Sequence, residues 1–250
     1  MTKVFVHGNP ETTEVWDALI AELVDRGVDD LVRLSPPGFG AAVPEGFGCT
    51  AAEYRDWLIG ELQKLSDSGG SPIDLIGHDW GAAHLYAVAA ERGDLLRSWV
   101  ADCSGIIHPD YIWHETAQIW QTPNAGEKHI AEYVELTGAD FAANSGVPES
   151  YAHTMAENVD TQMGRAILAV YRSAQQPVMR ELGARLAQAP RRPALIVHAT
   201  ADEYTRPEFT EAVAAWVGAK ILTLDGAGHW WMVERAADAA DGLTAFWSEL

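Results

Sequence analysis

Short apolar runs recur along this chain, and longer stretches with helical periodicity lie between them. That alternation confines the chain to a parallel α/β sheet, because parallel neighbours need a long crossover, usually a helix, to join them. Strands are expected at 4–7, 31–34, 72–77, 98–103, 192–199 and 220–224. Helices are expected at 13–26 and 51–65, with another beginning near Asp79. From Gly105 to about Gln188 the rhythm changes to aromatic-rich, helical periodicity without a convincing strand. We read residues 106–177 as a helical cap inserted into one sheet domain formed by 1–105 and 178–250.

Composition narrows the function classes. Hydrophobic residues make up 48% of the chain, enough for a large core. A formal net charge of −19 repels phosphate, which argues against nucleic-acid and anionic-membrane partners. Cys49 and Cys103 stand in no metal spacing and read as buried free thiols of a reducing compartment. The start runs directly into Lys3-Val4-Phe5-Val6 without a signal-like region, and no apolar run approaches the ~20 residues that span a bilayer. A cytoplasmic location is the resulting expectation.

The segment Gly77-His78-Asp79-Trp80-Gly81 joins an expected strand to an expected helix. Strand, Gly-x-Asp-x-Gly and helix form a nucleophile elbow with Asp in the usual Ser position. The positive end of the helix favours an ionised carboxylate there. An isolated motif of this kind is more often a helix N-cap, so the other residues of the set carry the reading. His7-Gly8-Asn9-Pro10, the elbow, Asp202 in Thr200-Ala201-Asp202-Glu203, and Gly228-His229 follow in order. Together they resemble the α/β-hydrolase superfamily, in its Asp-nucleophile branch of epoxide hydrolases and haloalkane dehalogenases. The resemblance covers almost the whole chain and implies that fold with a helical cap. It departs at the start, where only two residues precede Lys3 and the family's N-terminal hairpin is reduced. The edge so exposed could be covered by a partner subunit, making a homodimer an expectation.

The resemblance implies catalytic roles for Asp79, His229 and Asp202, and an oxyanion hole from the backbone N–H groups of Asn9 and Trp80. The chemistry of the residues agrees. A carboxylate with pKa ~4 is ionised at neutral pH and can attack an electrophilic carbon directly. His229 is then free to activate water against the ester, with Asp202 orienting its ring. Asp102, at the end of the fourth expected strand, is the alternative acid. His7 and His78 are expected to make structural hydrogen bonds, and His84 to pack. Trp230 and Trp231 are expected to line the pocket or the core. His108, His114, His129 and His153 show no metal-ligand spacing, so neither a metal nor a cofactor is expected.

The leaving group is contested. Epoxide opening needs a proton donor, and Ala169-Val170-Tyr171-Arg172 resembles the segment that supplies a cap tyrosine. The other tyrosine is replaced by Trp120 in Gln118-Ile119-Trp120-Gln121, leaving Tyr111 or a cap His to substitute. Dehalogenation needs N–H donors around a halide, which Asn9 and Trp80 offer, with Trp120 as a further donor. Glu11 after the His-Gly-x-Pro loop and Ala82 after the elbow favour the epoxide side. Trp80, where fluoroacetate dehalogenases carry an Arg, disfavours those enzymes. The expectation is a hydrolase opening an epoxide to a diol through an Asp ester. Haloalkane dehalogenase is the alternative, and a non-catalytic binding protein on the same fold is the reading outside catalysis. Expected partners are a small hydrophobic substrate and water.

Overall fold

The computed structural model describes residues 1–70 and 72–250. Six strands form one sheet: β1 (Lys3–Val6), β2 (Leu31–Leu34), β3 (Ile73–Gly77), β4 (Leu96–Ala101), β5 (Ala194–Ala199) and β6 (Lys220–Leu224). Their order is β2-β1-β3-β4-β5-β6, and every neighbouring pair is parallel. No strand precedes β1 among the described residues, so β2 and β6 are the edges.

The topology places the site. From β1 the chain moves outward to β2, whereas from β3 it moves the other way to β4. The order therefore reverses between β1 and β3, and a crevice opens there beyond the carboxyl ends of the strands. Right-handed crossovers also put helices on opposite faces on either side of this point. On one face α1 (Asp17–Asp25) packs against α12 (Ala236–Ser248). On the other, α3 (Trp80–Arg92) packs against α2 (Ala51–Leu65) and α9 (Val178–Gln188). Covered on both faces, the central strands read as near-continuous apolar runs. Val4, Phe5, Val6, Leu75 and Ile76 are fully buried accordingly.

Between β4 and α9 lie α4 (Glu115–Gln121), α5 (Ala125–Tyr133), α6 (Gly138–Ser145), α7 (Glu149–Asn158) and α8 (Thr161–Ser173). The side chains of His114, Thr137 and Asp160 cap α4, α6 and α8 by accepting first-turn N–H groups. Arg172 ties α8 to α5 through a two-pronged bond to Glu127 at 2.8 and 2.9 Å. Helices α10 (Pro207–Val217) and α11 (Trp231–Glu234) complete the chain. No helix among the described residues is long and apolar enough to cross a membrane.

Some expected boundaries shift for local reasons. The helix expected over 13–26 opens as a 3-10 turn, Thr13–Trp16, before α1 begins. β5 starts at Ala194 because Pro193 has no N–H for the ladder. β4 ends at Ala101, two residues early, since Cys103 turns into the left-handed region at φ 46°. Cys49 is a buried free thiol as expected, but Cys103 is only half-buried and faces the crevice.

Candidate active site

Two loops meet at the switch point: Gly8-Asn9 after β1, and His78-Asp79 after β3. Asp79 has φ 51° and ψ −117°, a backbone conformation that side-chain-bearing residues rarely adopt. Such strain persists only where the surroundings enforce it, and here close packing does so. A Cβ on Gly81 would lie 2.1 Å from the Val6 carbonyl oxygen. A Cβ on Gly8 would lie 2.4 Å from the Asp79 side chain. The two glycines thus let α3 press onto β1 and let the β1 loop reach the carboxylate.

The backbone N–H of Asn9 donates to Asp79 Oδ1 at 2.9 Å. Trp80 opens α3, so its own N–H has no partner within the helix. Burial pushes the Asp79 carboxyl above the ordinary range, while nearby His229 and His78 and the Asn9 N–H pull it back toward the ionised form. His229 is buried, and its Nδ1 meets Asp202 Oδ2 at 2.9 Å. Asp202 Oδ1 in turn accepts the Tyr204 N–H at 2.8 Å. Burial disfavours a charged His229 ring, but Asp202, by charge and hydrogen bond, outweighs it and raises the pKa. With Nδ1 engaged, Nε2 is left for the crevice.

Asp102 occupies a different place. It lies fully buried beneath the elbow, bonded to His78 Nδ1, with Trp231 Nε1 on the same oxygen at 2.6 Å. Its other oxygen accepts the Asp79 N–H at 2.9 Å. His78 Nε2 meets Glu11 Oε1 at 3.0 Å, and the second Glu11 oxygen accepts the Gly8 N–H at 3.0 Å. Both nitrogens of His78 therefore face ionised acceptors, which requires the doubly protonated ring. Burial opposes that charge, yet Asp102 and Glu11 raise His78 well above its ordinary pKa. The knot of Glu11, His78 and Asp102 joins both loops and holds the elbow, so Asp102 is not placed to orient His229. His7 bonds Gly8 O and Ser35 Oγ, and His84 stacks on Tyr54. Trp231 is buried in the core, while Trp230 lines the crevice.

The crevice is a cavity of about 240 Å³ lined by Asn9, Asp79, Trp80 and His229 from the sheet side, with Tyr111 and His114 among the residues facing them. Trp120 also lines it, but its Nε1 donates to His129 Nδ1 at 3.0 Å. Trp120 is thus wall rather than a free donor, contrary to the expectation. Tyr171 stands one layer behind the wall, ringed by Trp80, Trp113 and Trp120. Asn9 Nδ2 donates to its hydroxyl at 3.5 Å. Burial and the Asp79 charge hold the Tyr171 phenol well above its ordinary pKa, while hydrogen bonds from Trp80 and Asn9 favour the phenolate. His114 Nδ1 accepts the Ala117 N–H at 3.3 Å, and burial lowers its pKa to about 4. Its ring is neutral with the proton on Nε2. Cys103 and Tyr204 also line the cavity, the latter with its ring centroid 4.9 Å from that of His229. Sequence reasoning missed both, because neither belongs to a motif.

Known proteins bear on this arrangement. Residues 4–241 match the family model described as the alpha/beta hydrolase family. Over 147 residues the chain is 27% identical to the "Probable oxidoreductase EphD" of Mycobacterium tuberculosis, covering 54% of this chain and 23% of that protein. The match thus spans less than a quarter of that relative's length. The "AB hydrolase superfamily protein YfhM" of Bacillus subtilis is 32% identical over 108 residues, 42% of this chain and 36% of that one. Among solved structures, haloalkane dehalogenase DbeA from Bradyrhizobium elkanii superposes with a TM-score of 0.76. That alignment covers 100% of this chain and 91% of the dehalogenase at 18% identity, a likeness of fold alone. With an elbow at the switch point of a parallel sheet and a family match over nearly its whole length, the chain belongs to the alpha/beta hydrolase family.

Proposed function

We propose that this hydrolase works through a covalent Asp79 ester and opens an epoxide to a vicinal diol. The observation that carries the leaving-group choice is the Tyr171 hydroxyl, held against the side chains of Asn9 and Trp80. Those two side chains are the N–H donors that halide release would need, and a phenol oxygen takes them up. The same contacts suit a proton donor, because they stabilise the phenolate left behind.

Asp79 Oδ attacks a ring carbon, the carbon–oxygen bond breaks, and the alkoxide takes the proton of Tyr111, while the His114 Nε2–H hydrogen-bonds the departing oxygen; both residues line the cavity. Tyr171, one layer behind, returns a proton to Tyr111 and holds the resulting charge. His229 Nε2 then removes a proton from water, which attacks the ester carbonyl. The Asn9 N–H receives the developing oxyanion. Collapse of that intermediate frees the diol and Asp79, and the His229 proton returns to Tyr171 through solvent. A cavity walled by aromatic rings favours a small hydrophobic epoxide.

One observation favours dehalogenation instead: Asn9 and Trp80 flank Asp79 on the cavity itself. The test is a paired assay of the purified chain, with styrene-oxide-type epoxides followed for diol and bromoalkanes followed for bromide. The His229→Gln variant is incubated in parallel for intact mass. Diol from the wild type and a substrate-sized adduct on Asp79 in the variant are expected. Bromide without diol would transfer the assignment to dehalogenation, and neither product nor adduct would leave a binding protein.

A further inference from the structure

We propose that Asp79, Cys103 and His229 form a binding site for a thiophilic divalent cation, zinc foremost, which occupies the cavity floor and shuts the site. One ligand atom from each residue, a carboxylate oxygen, the thiol sulfur and a ring nitrogen, lies within 4.8 Å of the other two. Tetrahedral zinc, with bonds of roughly 2.0–2.3 Å, needs its ligands about 3.5 Å apart. The three atoms therefore close on a cation by moving about an ångström or less. Carboxylate, thiolate and imidazole together suit zinc better than a hard, oxygen-seeking cation such as magnesium.

The surroundings orient each ligand. Asp202 holds His229 Nδ1 at 2.9 Å, which turns Nε2 inward as metal-bound histidines require. His229 is 7% exposed, and Nε2 is its one nitrogen not bonded within the chain. The Asn9 N–H engages Asp79 Oδ1 and leaves Oδ2 for the cation. Cys103 follows Asp102, whose carboxylate is pinned from three sides, so the sulfur is delivered by an anchored turn just after β4. All three residues line the cavity, from which a water molecule can supply the fourth ligand.

A second trio, Glu11, His78 and His229, lies equally close together but is closed to metal. Both His78 nitrogens and both Glu11 oxygens are already bonded within the buried knot. The proposed site needs only the three side chains at the cavity floor. It does not depend on which bond Asp79 cleaves.

The test uses the full chain with metal alone and no substrate. Zinc titrated calorimetrically into the wild type should bind one to one, and Cys103→Ser should weaken binding at least about tenfold. Cobalt in place of zinc should give a thiolate-to-metal charge-transfer band in the wild type that Cys103→Ser abolishes. Glu11→Gln should keep both the band and the stoichiometry. Thermal unfolding of the apo variants checks that each is folded, and Cys103→Ala replaces a Cys103→Ser that is not. Equal zinc affinity in wild type and Cys103 variants, or a cobalt complex without the thiolate band, would overturn the site. A failure of the epoxide assay would not touch it.

Discussion

Replacing each of the two aspartates beside the site, Asp102→Asn and Asp202→Asn, separates holding the elbow from serving the reaction. Both oxygens of Asp102 accept: Oδ1 from the Asp79 N–H, and Oδ2 from His78 and Trp231. Whichever way an asparagine amide turns, its NH2 meets a donor, and His78 loses one of two carboxylates. Breaking one side of a buried ion pair costs about 3–5 kcal/mol. For a chain of 250 residues the unfolding entropy near Tm is roughly 0.5 kcal/mol per degree, so Tm should fall by about 6–10 °C. Asp202 sits in a loop after β5 and bonds His229 and the Tyr204 N–H. Its replacement should cost about 1–3 kcal/mol, or about 2–6 °C, because an asparagine keeps an acceptor but turns the charge-assisted bonds of this buried carboxylate into neutral ones. Yet it should slow ester hydrolysis on the order of 10⁴-fold, since the ring of His229 loses its orienting charge. The assay pairs thermal unfolding followed by circular dichroism with single-turnover decay of the Asp79 adduct. If Asp102→Asn melts like the wild type but cannot hydrolyse the ester, while Asp202→Asn hydrolyses it normally, the two roles are reversed.

Tyr171→Phe should slow ester formation from an epoxide by about 10²–10⁴-fold and leave decay of the preformed ester unchanged. The same change frees the Asn9 and Trp80 donors, so bromide release from a bromoalkane should hold steady or rise; a variant that loses bromide release and keeps diol formation would contradict the proton-donor role. His84 is buried and neutral, its pKa brought down to about 3 by burial and by the charge of His7. With its unfolded value near 6.5, the stability it supports is complete at neutral pH and is lost as pH falls through 6.5 toward 3. Between pH 7 and 5 that amounts to about 2 kcal/mol, visible in urea midpoints, and His84→Gln should remove that share of the slope. An unchanged slope in the variant would show that other groups carry the acid sensitivity.

The sheet and its elbow are legible in the sequence because they rest on short-range physics. Strand and helix periods and the glycines around Asp79 act over a few residues and leave local marks. Asp79 stands out at the elbow on that basis, and the family resemblance adds Asn9, Trp80, Asp202 and His229; the fold brings Asn9, Asp79, Trp80 and His229 to one crevice, with Asp202 bonded to His229 behind it. Which carboxylate meets which histidine is another matter. Asp102 and Asp202 both stand just past strand ends, and only the stacking of β3, β4 and β5 gives His78 to one and His229 to the other. Helix packing likewise brings Tyr171 to Asn9 across 162 residues and spends the Trp120 indole on His129. No spacing rule foretells Cys103 beside Asp79, since a left-handed turn after β4 puts it there. Pattern determines which segments become strands and where the chain turns. Tertiary structure alone decides the pairing of buried polar groups, because each must find a partner from whatever the folded layers bring near it.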